Sequence, residues 1–338
     1  MKILIVKLSS LGDVVHALPA LQDIRRALPE AQIDWVVERA FAPVLRRSQG
    51  INRVIECELR GWRKSLFAAS TRQAWRAFRS DLQHEAYDAV IDLQGLSKSA
   101  LVSWLARLAP HGKRYGLANR TDGSAFEAPA RWVADVALTM PAHIHAVARS
   151  RELCARGLGY TVSGHPSYGL RGAVDAACGM TAAVARDQST ALGVVALVHG
   201  SSRADKQWPL ASWVELGRRL NEQGHAVALL HGNDAEQRAA EQIVAALDNA
   251  LLWPRLGLDA LIDALAPCAG VIGVDSGPSH IAVALDLPHV QIYNFDTAWR
   301  TGPQHMAHQR SLYAQPTPDV EAVWQAWRAV AGESAGAA

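Results

Sequence analysis

Short β-branched apolar runs alternate along the chain with longer stretches that place apolar residues at helical spacing. Residues 2–8, KILIVKL, form the first run and read as a strand buried on both faces. Ser9, Ser10, Leu11 and Gly12 are turn chemistry, and Val14, Val15, Leu18, Leu21 and Ile24 then follow at helical spacing. Asp13 therefore stands at a strand-to-helix junction. It is either an N-cap or a carboxylate at the edge of a ligand cleft, because doubly wound sheets keep their clefts at the carboxyl ends of the strands. Further strands are predicted at 32–37, 54–55, 87–93 and 113–117. Helices are predicted at 71–85, from the turn at 94–99 to 108, and up to 158. Residues 119–131 break the pattern and read as a loop or lid.

The same alternation starts again at 192. Strands are predicted at 193–199, 226–230, 270–274 and 289–293. Helices are predicted at 213–222 with Ser212 as cap, at 236–247, 258–265, 281–285 and 319–330. Residues 163–171 are turn-rich and suit a linker, and 181–187 suits a helix or domain edge. Strand and helix in turn argue for parallel sheets. The expected architecture is α/β, with two doubly wound domains of similar size.

Composition narrows the class. The 338 residues suffice for two ordinary domains, and the nearly neutral formal charge of +2 argues neither for nor against a nucleic-acid partner, so any basic surface must be local. The four cysteines, Cys57, Cys154, Cys178 and Cys268, have no CxxC pairing, which fits reduced thiols and no zinc site. The first apolar run is too short for a signal segment and contains Lys7, and no run reaches the length of a membrane span. A cytoplasmic protein is expected. GxGxxG, GxxxxGK[ST] and GxSxG are all absent.

Four clusters of residues carry candidate chemistry. Asp275-Ser276-Gly277-Pro278-Ser279-His280 brings a tight turn to a helix start, where backbone N–H groups converge on an anion; a plain capped helix start is the alternative. Ser201, Ser202 and Lys206 follow a buried strand and could hold a diphosphate, or lie on a solvated loop. Glu236 could accept hydrogen bonds from ribose, or only complement a helix N-terminus. Arg60, Arg63 and Lys64 with Trp62, together with Lys98, Arg114, Arg120 and His145, would attract a polyanion if clustered in a cleft.

Read together, KLSSLGDVVHALPAL, RGWRKS, YDAVIDLQGLSKSA, HGSSRADKQWP and GVDSGPSHIAVALDLP resemble the lipopolysaccharide heptosyltransferases of glycosyltransferase family nine. The five motifs recur in order along nearly the whole chain, and Ser9-Ser10-Leu11-Gly12-Asp13 is more similar to the first of these enzymes than to the second. The resemblance implies a GT-B fold, two Rossmann-like domains facing a central cleft. It implies an acceptor-binding domain at 1–165, a linker at 166–185, an ADP-heptose-binding domain at 186–318, and a helix with a disordered tail at 319–338.

The activity implied is inverting transfer of L-glycero-D-manno-heptose from ADP-heptose to the first Kdo of Kdo2-lipid A, at the cytoplasmic face of the inner membrane. Asp13 would be the general base, and Lys206 would stabilise the departing ADP. Ser201, Ser202, Glu236, Leu256, Asp275, Ser276, Gly277 and His280 would bind the donor. Ser10, Arg60, Arg63, Lys64, Gln94, Lys98, Arg120 and His145 would meet the acceptor. No cofactor or metal, no nucleic acid and no obligate protein partner is implied. The alternatives are another core heptosyltransferase of the same family or a non-catalytic two-lobed sugar-binding protein.

Overall fold

The computed structural model describes residues 1–65, 68–172, 192–201, 203–304 and 306–332. The chain divides into two compact units, Met1–Gly169 and Leu170–Ala338.

The first unit is built on six strands: β1 (Lys2–Val6), β2 (Gln32–Glu38), β3 (Arg53–Cys57), β4 (Tyr87–Asp92), β5 (Leu108–Leu117) and β6 (Val136–Leu138). All pair in parallel, in the order β3-β2-β1-β4-β5-β6. Helices cover both faces of such a sheet, so its central strand must be apolar throughout. Accordingly Ile3, Leu4, Ile5 and Val6 are all fully buried. The chain leaves β1 towards β2 and returns at β4 on the other side, so the strand order reverses between β1 and β4. That reversal opens a crevice beyond the carboxyl ends of these two strands.

Helix Leu11–Ala27 packs on helix Ala146–Leu158. Their contact contains a buried bidentate ion pair: Arg151 donates from Nε to Asp23 Oδ2 at 2.6 Å and from Nη2 to Asp23 Oδ1 at 3.1 Å. The Arg151 guanidinium also holds the carbonyls of Ser163 and Gly164, which ties down the end of the unit.

The second unit repeats the plan with β7 (Val194–Val198), β8 (Ala226–Leu229), β9 (Ala250–Leu252), β10 (Gly270–Val274), β11 (His289–Tyr293) and β12 (Gln309–Tyr313). Its order is β12-β11-β10-β7-β8-β9, again all parallel, which is the order of the first sheet when counted from β7. The reversal falls between β7 and β10. The core on one face gathers Trp213, Trp327, Val195, Leu229 and Ile272, supplied by the sheet and by helices Leu210–Glu222 and Val320–Val330.

Several boundaries differ from those predicted. β5 begins at Leu108 rather than 113, and the preceding helix stops at Leu105, where Arg114 takes the carbonyls of Ser103, Trp104 and Ala106. Arg114 is thus committed to that helix end. Helix Ala128–Val133 begins inside the stretch read as loop. Ser212 is not a cap, because its helix begins at Leu210. Asn233 caps the next helix, Asp234–Val244, through Ala235 and Glu236 N–H. β6, β9 and β12 have no counterpart in the sequence reading. They lie at or near sheet edges, and their half-buried residues lack the continuous apolar run of a central strand. The helix predicted at 181–187 and the tail from 333 lie outside the described residues, and the unit boundary at Gly169 falls within the predicted linker.

Removing Asp23 would leave the Arg151 charge buried without its partner. Asp23→Ala is expected to destabilise the first unit by about 3–5 kcal/mol, measured as a lower urea midpoint of that unit's unfolding transition.

Candidate active site

In the first unit the residues around the strand reversal are drawn together by Ser9. Backbone N–H of Leu8 donates to Gln94 Oε1 at 2.8 Å, and Gln94 Nε2 donates to the Ser9 carbonyl at 2.9 Å. Two cations converge on the Ser9 hydroxyl, Lys98 Nζ at 2.6 Å and Arg60 Nη2 at 3.2 Å. Ser10 is the N-cap of helix Leu11–Ala27, and Asp13 is its third residue. Asp13 Oδ2 accepts from Ser10 N–H at 3.0 Å and from the Ser10 hydroxyl at 2.9 Å. So Asp13 is not the N-cap but the carboxylate that reaches back to it.

Lys7 completes this cluster from beneath. It follows β1 directly, its side chain is only 4% exposed, and its ammonium lies 3.7 Å from Asp13 Oδ1 while donating to the Leu93 carbonyl at 3.1 Å. Burial alone would raise the Asp13 carboxyl, but the Lys7 charge and the two Ser10 donors outweigh it and hold the group well below the usual carboxylate range. Asp13 keeps 42% of its side-chain surface accessible, so a substrate can reach it. Behind Lys7, the Asp92 carboxylate is spent on Gln94 and Gly95 N–H and on the Ser99 hydroxyl, which shapes the turn after β4.

Of the predicted acceptor residues, Ser10, Arg60, Gln94 and Lys98 meet here. His145 is buried, its Nδ1 caps helix Ala146–Leu158 by accepting from Val147 N–H, and its ring lies edge-on to His16 at 6.2 Å. Arg120 donates to the Ser124 carbonyl in its own loop. Arg63 and Lys64 are exposed beyond the short helix Leu59–Trp62. Lys7 went unassigned in the sequence reading, although a lysine closing a fully apolar strand run is itself a signal, since a buried charge demands a partner.

In the second unit the carboxyl end of β7 leads to His199, Gly200 and Ser201. Glu236 stands in the first turn of helix Asp234–Val244 and accepts from Gly232 N–H at 2.7 Å. Its carboxylate lies across Gly200, where a Cβ would come 2.5 Å from the carboxyl carbon, so a side chain there would require the carboxylate to move. A cavity of about 420 Å³ opens there, lined by His199, Ser201, Gln207, Trp208, Asn233 and Glu236. Ser202 lies outside the described residues. Leu256 is half-buried in the segment that follows β9 and does not line this cavity.

At the end of β10, Asp275 gathers a lysine and a histidine. Lys206 Nζ lies 2.5 Å from Oδ2, and His280 Nε2 lies 3.3 Å from Oδ1. Burial pushes the Asp275 carboxyl up, but His280 and Lys206 together hold it well below the ordinary range. Helix Gly277–Ala284 starts beside it, with Pro278 in the first turn. The Ser276 hydroxyl at its N-cap is buried with no hydrogen-bond partner, and it faces the same turn as the free first-turn N–H groups. Such a helix start favours an anion. Among the described residues, no three His, Cys, Asp or Glu side chains are grouped as a metal site.

The family profile described as glycosyltransferase family 9 (heptosyltransferase) matches residues 75–324. Lipopolysaccharide heptosyltransferase 1 of Pseudomonas aeruginosa is 38% identical over 303 residues, covering 87% of this chain and 78% of the relative. The Escherichia coli K12 protein of the same name is 36% identical, covering 87% of this chain and 88% of its own. The chain belongs to glycosyltransferase family 9, the heptosyltransferases. The solved structure of E. coli heptosyltransferase WaaC with ADP is 32% identical and superposes with a TM-score of 0.82, over 96% of this chain and 98% of the other. E. coli ADP-heptose lps heptosyltransferase II, 22% identical, shares the fold with a TM-score of 0.76 over 98% and 99% of the two chains.

In this heptosyltransferase both depressed carboxyls, Asp13 and Asp275, bind protons less readily folded than unfolded. The stability they contribute is complete at neutral pH and is lost as the pH falls through the ordinary carboxylate range and below. Replacing Lys7 removes the largest force opposing burial at Asp13. In Lys7→Met the Asp13 carboxyl is expected to titrate at higher pH than in the parent, read by carbon-13 carboxylate NMR. An unmoved titration would mean that the Ser10 donors suffice.

Proposed function

We propose that this heptosyltransferase moves heptose from ADP-heptose to the first Kdo of Kdo2-lipid A, with inversion at the anomeric carbon. The observation that carries the reading is Asp13: an accessible carboxylate, kept ionised by a buried lysine, at the strand reversal of a doubly wound domain. Such a group is ready to receive a proton at any working pH. The donor assignment is supported by WaaC, solved with ADP-2-deoxy-2-fluoro heptose, which is 33% identical over 93% of both chains. The acceptor assignment is supported by the names of the relatives at 36% and 38% identity, both lipopolysaccharide heptosyltransferase 1.

The donor would lie in the second unit. The diphosphate suits the N-terminus of helix Gly277–Ala284, with the Ser276 hydroxyl, Gly277 N–H, Ser201 and Ser202 as donors. Glu236 suits the ribose hydroxyls. The acceptor would lie in the first unit, where Arg60 and Lys98, both on Ser9, would meet its carboxylates or phosphates, with Gln94 and Ser10 beside them. Arg63, Lys64 and Arg120 would extend this basic surface.

In the reaction an acceptor hydroxyl oxygen forms the new bond to the anomeric carbon. Its proton passes to Asp13, and the bond from that carbon to the ADP oxygen breaks with its electron pair. The new charge sits on the departing diphosphate. Lys206 meets that charge, having been held by Asp275 until then, and His280 adds a second donor from the same carboxylate. Donor and acceptor domains joined near residue 169 and a site on the cytoplasmic face of the inner membrane are part of this reading.

Asp13→Ala is expected to abolish acceptor-dependent ADP release while ADP-heptose affinity stays near that of the parent, measured by coupled assay and calorimetry. Loss of donor binding in that variant would return Asp13 to a purely structural role. Transfer to a heptosylated core but not to Kdo would instead favour a later core heptosyltransferase. For Lys206→Ala a fall in kcat of about 10²-fold or more is expected from loss of a charge at the leaving group, and an unchanged kcat would remove Lys206 from the chemistry.

A further inference from the structure

The first unit holds a further cavity, of about 560 Å³, which shares Arg63 and Lys98 with the proposed acceptor surface and extends beyond it along helix Ala69–Leu82. Its walls are apolar: Leu59, Trp62, Trp75 and Leu101. Trp62 meets Trp75 edge-on with ring centroids 5.6 Å apart, and Phe78 backs both rings. Four cations line the same space, Arg63, Arg72, Arg76 and Lys98, and none of the described lining residues is acidic. Arg72 and Arg76 stand one turn apart on helix Ala69–Leu82, where two like charges repel. Among the described residues, no hydrogen bond or ion pair engages the guanidinium of Arg63, Arg72 or Arg76. An apolar chamber with unanswered positive charge fits a ligand with an apolar body and an anionic head.

The surface beside the cavity extends the same chemistry. Leu101 lines the cavity and is still 42% exposed, and Trp104, one turn further along helix Ser97–Leu105, is 62% exposed. Helix Ala128–Val133 packs against that helix and carries Trp132, 76% exposed. Large apolar side chains left this open are costly in water, and tryptophan is at home where an apolar phase meets water. Among the described residues no helix is long and apolar enough to cross a membrane, so contact with a bilayer through this face would be peripheral.

We propose that this face of the first unit docks on an anionic bilayer: the cavity receives an acyl chain of a bilayer lipid, and Arg72 and Arg76 hold its phosphate. Leu101 and Trp104 enter the headgroup boundary alongside. A nucleic acid would answer the charge but not the apolar walls, and a neutral apolar molecule would answer the walls but not the charge. The proposal deepens the transfer reading, because a lipid acceptor is met at a membrane, yet vesicle binding is measured without any transfer and stands or falls separately.

The test is sedimentation of the full chain with vesicles of phosphatidylcholine alone or of phosphatidylcholine mixed with phosphatidylglycerol. Binding is expected for the mixed vesicles and not for the neutral ones, weakening as salt is raised. The double variant R72Q/R76Q should lower the partition coefficient about tenfold or more, and L101S/W104S should lower it as well, both with melting temperatures close to the parent. Equal binding to both vesicle types, no binding to either, or binding that both double variants leave intact would overturn the proposal. If transfer to Kdo failed while vesicle binding behaved as described, the docking face would stand and the acceptor assignment would fall.

Discussion

One buried ammonium organises the first unit's site. Lys7 leaves β1 at the point where the sheet reverses, and its charge has been taken out of water. A lone charge in that position would be prohibitively costly, so the surroundings must supply an anion and a carbonyl. Asp13 and the Leu93 carbonyl supply them. The arrangement gives Asp13 two constraints at once: Ser10 fixes it from the helix side and Lys7 from the strand side. A carboxylate so held stays ionised but has reduced proton affinity. Constant readiness is traded against driving force in the proton-transfer step.

The second unit solves a similar problem with the signs exchanged. There the buried group is a carboxylate, Asp275, and the partners are the Lys206 ammonium and the His280 imidazole. Both clusters sit beyond the carboxyl ends of adjacent strands whose order reverses, because that is where neighbouring connections part and leave room. The matching strand orders of the two sheets therefore place charged chemistry at corresponding points of each unit. The ionic character differs, positive beneath and negative above in the first unit, and negative at the centre in the second.

Much of this was legible in the sequence because central strands are unambiguous. Residues 270–274 were readable to the residue, as a fully buried parallel strand reads as an unbroken apolar run, and 289–293 were readable as well although His289 and Gln291 interrupt the run. The candidate turns were legible for the same reason, since Gln94, Ser201 and Asp275 follow such strands within three residues and Asp13 lies in the first turn of the helix after β1. Edge strands β6, β9 and β12 were hidden, because half-buried residues carry no run to detect. Two helix starts lay earlier than predicted: Pro209 stands at the cap where Ser212 was expected, and Asn233, a preferred cap residue, stands three residues before the predicted start at 236. Arg114 looked like a ligand-binding cation because its partners, three helix-end carbonyls, come from folding and not from spacing.

Glu236 and Gly200 are separated by 36 positions in the sequence, yet the carboxylate lies across the glycine with no space for a single carbon between them. A methyl group at 200 would oblige the carboxylate to swing out of this seat, whereas loss of the carboxylate would leave 200 room for a side chain. The place where Glu236 now rests exists because position 200 has no side chain.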